Sequence, residues 1–310
     1  MTRIAVTGGS GKAGRAVVAG LIADGLEVIN IDVVPGPGAD ARYLRADLTD
    51  LGETIEALRS TTAVVHLAAI PAPGIRTVER TFEINMLSTF NVFNAAALLG
   101  LERVVWASSE TVLGLPFGRE GARNLLDPAA TPGHRAEPDY VPIDEDHPLR
   151  PHSSYSLSKV LGEEMARQFS RWTGIPFIGL RFSAIREPAE YAAFPETWRD
   201  ARLGAWNVWG YVDARDVAQA CRLALSADVS GAEVFIIAAA DTVMDRPNAA
   251  LMAECFPSVA IREATGEHDT LLAINKARRI LGYAPAHSWR DELTGNGEQG
   301  VNPDRVRQEA

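Results

Sequence analysis

A glycine-rich turn near the amino terminus constrains the fold of this chain more than any other feature of its sequence. The turn spans Thr7 to Gly14 (TGGSGKAG), follows a short apolar run at Arg3 to Thr7, and leads directly into an amphipathic segment. Gly8, Gly11 and Gly14 suit a tight turn, a close backbone approach to a phosphate, and a close contact between helix and strand. The pattern therefore predicts a strand, a turn, and a helix whose amino terminus faces a pyrophosphate.

Two details of this region indicate which nucleotide the turn suits. Lys12 is followed by Ala13 rather than Ser or Thr, and Val6 stands where a P-loop has its first glycine, so ATP or GTP hydrolysis is disfavoured. Asp32 ends the second predicted strand, at the position where a carboxylate accepts hydrogen bonds from ribose hydroxyls and repels a 2′-phosphate. The sequence therefore favours NAD over NADP as the cofactor.

Short β-branched runs alternate with longer amphipathic stretches, a pattern typical of a doubly wound parallel sheet with helices on both faces. The predicted strands are Arg3 to Thr7, Glu27 to Asp32, Ala63 to Leu67, Arg103 to Ser108, Pro176 to Phe182 and Glu233 to Ile237, with a weaker one at Arg42 to Arg45. The predicted helices are Lys12 to Asp24, Thr54 to Ser60, Val78 to Leu99, Ser154 to Thr173, Asp213 to Leu225, Asn248 to Cys255 and Asn275 to Leu281.

The charge and cysteine content narrow the classes of partner and compartment. Thirty Lys and Arg residues against 40 Asp and Glu give the 310-residue chain a formal charge of -10, which disfavours nucleic acid and anionic membrane as partners. Cys221 and Cys255 lie far apart without metal-ligand spacing, which predicts free thiols in a reducing compartment. With no recognisable secretion signal or membrane-spanning stretch, we expect a cytoplasmic protein that needs no metal.

A tyrosine and a lysine four residues apart form the candidate catalytic pair. Tyr155 and Lys159 fall within a predicted helix, where this spacing places both side chains on one face. An ammonium beside a phenol favours the phenolate, so Tyr155 is a candidate to exchange a proton with an alcohol. The spacing alone is frequent by chance, and an exposed surface pair is the structural alternative.

Several motifs in a fixed order give the chain a family resemblance. It resembles the extended short-chain dehydrogenases/reductases of the NAD-dependent epimerase/dehydratase type over about residues 1 to 290, and looks closest to their uronate dehydrogenase-like members. Besides the glycine turn and the Tyr155 and Lys159 pair, the motifs are Asp47-Leu48, His66 to Ala69, Asn85, Ala107 to Gly114, Pro142 to Asp146, Leu180 to Ser183 and Tyr211 to Ala218.

The resemblance implies a role for each matched residue. Ser109 would hydrogen-bond the reacting hydroxyl or carbonyl, Tyr155 would be the general acid/base, and Lys159 would bind the nicotinamide ribose and lower the pKa of the tyrosine. Besides Gly8, Gly11, Lys12, Ala13, Gly14 and Asp32, the implied NAD-binding residues are Asp47, Leu48, Leu67, Ala68, Ala69 and Ser183. Asn85 is expected to be structural, stabilising a helix.

The resemblance also implies a domain arrangement and an oligomer. Residues 1–182, with 211–240 completing the sheet, would form a Rossmann-type NAD-binding domain. Residues 183–210 and 241–293 would form a small substrate-binding cap, and the polar residues 294–310 a disordered tail. A homodimer would form through the helices at Val78 to Leu99 and Ser154 to Thr173. The proline-rich segment from Gly114 to Tyr155 is either a lid or a plain surface excursion.

Departures from the family pattern indicate the type of reaction. The sugar-nucleotide dehydratases carry an Asp-Glu pair directly after the catalytic Ser or Thr, whereas this chain has Glu110 and Thr111, which disfavours 4,6-dehydration. Only 27 residues separate Ser183 from Tyr211, which leaves little room for a nucleotide diphosphate.

The short cap region favours a small substrate. Together with Ser109, the substrate-binding candidates are Glu110, Thr111, Arg181 and Arg186, with either arginine clamping a carboxylate or sugar hydroxyls; for Arg181 the alternative is a structural ion pair. Trp198, Trp206 and Trp209 would either face a sugar ring or form the core of the cap.

These observations predict an NAD-dependent oxidoreductase that transfers a hydride at a hydroxyl carbon of a sugar or sugar acid. A nucleotide-sugar epimerase that retains its NAD is one alternative. A catalytically silent protein that senses NAD is another, and an intact set of Ser109, Tyr155 and Lys159 argues against it.

Overall fold

Seven parallel strands form the central sheet, in a computed structural model that describes residues 3–36, 41–114 and 137–295. In chain order the strands of this part of the chain are β1 (Arg3–Thr7), β2 (Glu27–Asp32), β3 (Arg42–Arg45), β4 (Ala63–His66), β5 (Arg103–Ser109), β6 (Tyr140–Val141), β7 (Phe177–Phe182), β8 (Ile185–Arg186), β9 (Val212–Asp213), β10 (Ala232–Ile237) and β11 (Ala260–Ile261). The large sheet has the order β3-β2-β1-β4-β5-β7-β10, and every pair in it is parallel.

Helices connect these strands and cover both faces of the sheet. They are α1 (Lys12–Ala23), α2 (Leu51–Leu58), α3 (Val78–Leu99), α4 (Ser154–Thr173), α5 (Phe194–Trp198), α6 (Ala214–Ser226), α7 (Asn248–Cys255), α8 (Asn275–Leu281) and α9 (Trp289–Gly295). The predicted doubly wound Rossmann-type fold is confirmed. Helix α2 begins earlier than predicted because the Asp50 side chain accepts a hydrogen bond from the Glu53 backbone N–H and caps the helix at Leu51.

Two apolar layers hold the sheet between its helices. On one face, residues such as Val6 and Val65 pack with Val17 and Leu21 of α1 and with α6; on the other, Ala5 and its neighbours pack with α2, α3 and α4. Successive residues of a strand point to opposite faces, so β1 contributes to both layers. A sheet buried on both sides explains why its central strands read as continuous apolar runs.

The order in which strands are added to the sheet reverses beside β1. It moves outward through β2 and β3, then returns to add β4 on the other side of β1 and continues through β5, β7 and β10. In a doubly wound sheet, a crevice opens outside the carboxyl ends of the strands at such a reversal, and ligands bind there. The glycine turn follows β1 directly, so the topology places it in this crevice.

Aromatic side chains pack the residues after β7 against the carboxyl-terminal segment. Phe194 contacts the rings of Tyr191, Tyr211 and Trp289, with centroid separations of 5.3, 5.4 and 6.2 Å. Trp198 lies against Trp289 at 5.2 Å. These contacts hold the segment after β7 against the first residue of α9.

Two sequence predictions fall on parts of the chain outside the described residues. Most of the lid segment, 115–136, lies outside them, and so do residues 296–310 of the expected tail. The first two residues of that tail, Thr294 and Gly295, instead end helix α9. Among the helices that are described, none combines the length and hydropathy needed to cross a membrane.

Candidate functional site

A cleft of about 1090 Å³ runs along the carboxyl edge of the sheet from β2 past β1 to β5 and β7. It brings together all but one of the predicted site residues: Gly8, Gly11, Lys12, Ala13, Gly14, Asp32, Asp47, Leu48, Leu67, Ala68, Ala69, Ser109, Glu110, Thr111, Tyr155, Lys159, Ser183 and Arg186. The exception is Arg181.

The glycine turn leaves a helix amino terminus open to the cleft. Gly8 adopts a φ of +70°, and a Cβ on Gly14 would lie 2.1 Å from the Gly8 carbonyl oxygen, so both positions require glycine. A Cβ on Gly11 would meet only that same oxygen, at 3.3 Å, because Gly11 faces the cleft. Among the described residues, no side chain caps the first turn of α1. Its N–H groups therefore suit the pyrophosphate of a dinucleotide.

Asp32 closes the ribose end of this part of the cleft. One carboxylate oxygen accepts a hydrogen bond from the Ser10 backbone N–H at 3.1 Å, and the other from the Val34 N–H at 3.3 Å. Val33 and Val34 beside it are exposed and bring no cationic group to a 2′-phosphate. This donor and acceptor set fits NAD.

Two backbone contacts hold the loops that flank the cofactor positions. The Asn91 amide of α3 donates to the Leu48 carbonyl at 2.9 Å. Asn85 of α3 accepts from the Ile70 N–H at 2.7 Å and donates to the Ile70 carbonyl at 3.1 Å, which fixes the loop after β4. Asn85 is thus structural, as predicted, but it positions the loop carrying Leu67 rather than a helix.

Capping interactions place the candidate catalytic pair at the start of α4. The Ser153 side chain accepts from the Ser156 N–H, and Ser156 returns a hydrogen bond to the Ser153 backbone, so the helix begins at Ser154. Tyr155 and Lys159 then lie one turn apart, with the Lys159 Nζ 5.6 Å from the centroid of the Tyr155 ring. Both side chains are buried, which rules out the exposed surface pair.

The environment of the pair sets its protonation. The Lys159 ammonium donates to the Ala107 carbonyl at 2.8 Å, and burial lowers the pKa of Lys159 to about 8. Burial raises the pKa of Tyr155 to about 12, opposed by a hydrogen bond with Ser109, so the lowering of this pKa that was expected from Lys159 is not found. Thr111 donates to the Ser109 Oγ at 3.0 Å and helps to orient that hydroxyl. Tyr155 therefore rests as a phenol bonded to Ser109, with a cation close to its ring.

The wall beyond Ser109 contains a buried carboxyl group. Glu110 is 6% exposed, and its two oxygens accept from the Ser183 Oγ at 2.6 Å and from the Asn207 Nδ2 at 3.2 Å. Burial raises the pKa of Glu110 to about 8, although these hydrogen bonds oppose the shift. The sequence analysis did not single out Asn207, because a contact between residues 97 positions apart leaves no spacing signal.

Trp206 and Arg186 line the opposite part of the substrate end. The Arg186 Nε is buried without a hydrogen-bond partner among the described residues, and its guanidinium lies 3.9 Å from Glu190. Trp209 is fully buried, and its indole N–H donates to the Ala201 carbonyl. Of the three tryptophans considered from the sequence, Trp198 and Trp209 pack inside the protein and Trp206 lines the cleft.

The prediction that Arg181 might reach the substrate is wrong. Its side chain is 2% exposed and forms a bidentate ion pair with Glu163 of α4, with both bonds at 2.8 Å. A third bond goes to the Glu145 carbonyl. The structural alternative holds because adjacent residues of β7 point to opposite faces: Arg181 points under α4, and its neighbour Phe182 lines the cleft.

Two ion pairs join the glycine turn to the segment after β8. The Lys12 ammonium pairs with Glu190 at 2.6 Å and donates to the Ile185 carbonyl at 3.4 Å. Arg15 pairs with Glu187 at 2.8 Å. The side chain of Lys12 is therefore engaged by the protein, while the residue still lines the cofactor part of the cleft.

Two proteins of known name share long stretches of sequence with this chain. The chain is 33% identical to an L-arabinose 1-dehydrogenase (NAD(P)(+)) of Haloferax volcanii over 285 residues, 92% of this chain and 96% of that one. It is 32% identical over 193 residues to a Methanocaldococcus jannaschii protein named for UDP-glucose 4-epimerase, where the match covers 59% of this chain and 55% of the relative.

A solved structure and a family model extend these comparisons. The uronate dehydrogenase of Agrobacterium tumefaciens shares the fold with a TM-score of 0.64 and 20% identity, over 98% of this chain and 92% of that one. Residues 4–238 match the model described as the NAD dependent epimerase/dehydratase family. With the glycine turn, Asp32 and the Ser109, Tyr155 and Lys159 set assembled in one cleft, the chain belongs to the NAD-dependent epimerase/dehydratase family of enzymes.

Proposed function

We propose that the protein is an NAD-dependent dehydrogenase that oxidises a hydroxyl group of a free sugar or sugar acid. One observation carries the proposal: Ser109, Tyr155 and Lys159 converge in the same cleft as the glycine turn and Asp32. Transfer of a hydride from an alcohol carbon requires removal of the hydroxyl proton, and this arrangement provides a positioned base beside a dinucleotide site.

The residues divide the chemistry between them. When bound, NAD supplies the carbon that accepts the hydride. Ser109 holds the substrate oxygen by a hydrogen bond. Tyr155 first releases its own proton to solvent, and the resulting phenolate takes the hydroxyl proton as the carbon–oxygen double bond forms. The cation of Lys159 close to the Tyr155 ring favours the phenolate that this step needs. In the reverse direction, Tyr155 returns the proton to the carbonyl oxygen.

The substrate end of the cleft has the chemistry of a sugar site. Trp206 offers an aromatic surface of the kind that packs on a sugar ring, and Arg186 brings donors, including a buried Nε without a partner among the described residues. The relative from Haloferax volcanii, which aligns over nearly its whole length, is named for oxidation of L-arabinose. We assign Glu110 and Thr111 to the wall of this site and residues 183–210 and 241–293 to its cap.

The test is oxidation of a panel of free aldoses and uronates by the purified protein with NAD, followed by NADH absorbance. We expect steady NADH production with at least one free sugar and its loss in Tyr155→Phe, while NAD binding persists. If no sugar in the panel yields NADH and Tyr155→Phe alters no measurable activity, the protein is a silent NAD-binding relative and the proposal fails.

A nucleotide-sugar epimerase is the second candidate, because the relative from Methanocaldococcus jannaschii is named for that activity. In an epimerase the hydride returns to the opposite face of the sugar and no free NADH accumulates. Interconversion of UDP-glucose and UDP-galactose without added NAD, and without NADH production from free sugars, would favour this candidate over the dehydrogenase.

We also propose that the protein works as a homodimer in the cytoplasm. Apolar side chains on the outer faces of α3 and α4 are exposed: Leu87, Phe90, Leu98, Leu157, Leu161 and Trp172. A second copy of the same helix pair would bury this surface. Light scattering should give twice the mass of the chain, and Phe90→Glu with Leu161→Glu should reduce it to a monomer.

A further inference from the structure

Glu110 joins three segments of the chain in the wall of the cleft. It follows Ser109 at the end of β5, its partner Ser183 follows β7, and its partner Asn207 lies in the turn at Ala205–Asn207. Both of its oxygens are engaged by these partners, at 2.6 and 3.2 Å. Both oxygens of the Glu110 side chain therefore bond to other residues of the protein, although Glu110 follows Ser109 directly in the sequence.

The charges around Glu110 do not balance a buried carboxylate. Arg186 of β8 is a cation that lowers the pKa of Glu110. Within the described parts of the chain, however, no Lys or Arg nitrogen lies within 4.0 Å of the Glu110 carboxyl oxygens, and Arg186 instead approaches Glu190. From α4, Tyr155 is the group whose pKa a charge on Glu110 would raise. Lys159, also of α4, directs its ammonium to the Ala107 carbonyl. Burial without an ion pair favours the neutral carboxylic acid.

A neutral carboxylic acid satisfies the two partners of Glu110. In the neutral acid the carbonyl oxygen accepts from the Asn207 amide, and the hydroxyl donates to the Ser183 Oγ, which reverses the direction that this bond has with a carboxylate. The Ala184 backbone N–H donates to the carboxyl group as well. Ionisation would keep the bonds from Asn207 and Ser183, since both can donate to a carboxylate, but it would add a negative charge that raises the pKa of Tyr155. Like charges nearby disfavour one another, so a carboxylate at this position opposes formation of the Tyr155 phenolate.

We propose that Glu110 is a positioning residue that works as a neutral acid, locks Ser183 and Asn207 into the cleft wall, and controls through its ionisation how readily Tyr155 accepts a proton. This inference rests on the proposed dehydrogenase chemistry, in which Tyr155 is the base.

The pH profile of kcat/KM for sugar oxidation tests the proposal. Glutamine copies the neutral acid, with one acceptor for Asn207 and one donor for Ser183, but it does not ionise. Near pH 7 we expect kcat/KM of Glu110→Gln to exceed that of Glu110→Ala, since glutamine preserves both hydrogen bonds and alanine preserves neither. Its apparent pKa for the catalytic base should fall by about one unit, the lower end of the effect of a nearby like charge.

Two further variants separate this role from a merely structural one. Glu110→Ala removes both hydrogen bonds, so kcat/KM should fall at every pH while the apparent pKa still moves downward. Glu102→Gln alters an exposed glutamate at the start of β5 and should leave the profile unchanged. An unshifted apparent pKa in Glu110→Gln, or a loss as large as that of Glu110→Ala at neutral pH, would overturn the proposal.

Urea unfolding of the same variants needs no substrate and separates this inference from the proposed function. If no sugar is oxidised but the stability of Glu110→Gln relative to the unaltered protein rises with pH, the neutral acid stands and the assigned reaction fails. If a sugar is oxidised and that relative stability is independent of pH, the reaction stands and the inference about Glu110 fails.

Discussion

Glu110→Gln is expected to stabilise the protein increasingly as the pH rises from 5 towards 8. The carboxyl group is buried, and burial raises its pKa from 4.5 to about 8. Between these two values the unfolded chain has released the proton that the folded protein keeps. Folding then requires proton uptake, so the unaltered protein loses stability as the pH rises through this window. Glutamine carries no such proton and escapes the loss.

The pKa difference sets the size of the effect. Each pH unit in the window corresponds to about 1.4 kcal/mol, so between pH 5 and pH 7 the free energy of unfolding of Glu110→Gln should gain about 3 kcal/mol relative to the unaltered protein. Above pH 8 the carboxyl is ionised in both states, and the difference between the two proteins should level off. This contribution of Glu110 to stability is fully present below pH 4.5 and is lost by pH 8.

Urea unfolding followed by tryptophan fluorescence at half-unit steps from pH 5 to pH 8.5 measures this difference. Glu102→Gln is the matched control, because Glu102 is exposed and its replacement should add no such slope. A relative stability of Glu110→Gln that does not change with pH would refute the reasoning, since it would mean that Glu110 is ionised in the folded protein across the whole range.

Three other replacements give direct checks of the site and the fold. Tyr155→Phe should lower kcat by about 10²–10⁴-fold, the usual contribution of general acid/base catalysis, with NAD affinity by calorimetry unchanged. Asp32→Ser removes the charge that repels a 2′-phosphate, so the ratio of kcat/KM for NADP to that for NAD should rise by at least about tenfold, or about 1.4 kcal/mol. Arg181→Met leaves the Glu163 carboxylate buried without its partner and should cost about 3–5 kcal/mol in urea unfolding. A loss below about 1 kcal/mol would contradict a buried structural pair and match an exposed one.

The elements of the central sheet follow from local sequence patterns. Apolar runs such as Arg103 to Ser108 and the long amphipathic stretch at Val78 to Leu99 occur as strand and helix with nearly the predicted ends. The boundaries that moved did so at caps: Asp50 starts α2 three residues before the expected position at Thr54. A cap is a single side-chain hydrogen bond, which periodicity over a dozen residues does not register.

The cofactor half of the cleft was also predictable, because its residues lie close together in the chain or at fixed spacings. The glycines of the first turn and the pair Tyr155 and Lys159 each belong to one local element, so their geometry is set by that element. Asp32 ends the strand that pairs with β1, and the register Thr7 to Ile31 brings it to the same edge.

The substrate half was decided by tertiary structure. Arg181 and Arg186 looked equivalent in the sequence, but one pairs with Glu163 under α4 and the other lines the cleft. Which of them reaches a ligand depends on the face that Arg181 takes in β7, on the position of Arg186 in β8 and on what packs against each, and none of these is encoded in spacing. Likewise, Trp206 lines the cleft and Trp209 is buried three residues later.

The sequence by itself determined the doubly wound sheet, the dinucleotide turn and the catalytic pair, because short-range periodicity and steric demands produce each of them. Tertiary structure alone decided that Glu110 meets Asn207, that it lies buried beside Tyr155 without an ion pair, and that its neutral form is favoured. The physical reason is that burial and electrostatic environment are properties of the assembled fold, set by segments that meet only after the chain has packed.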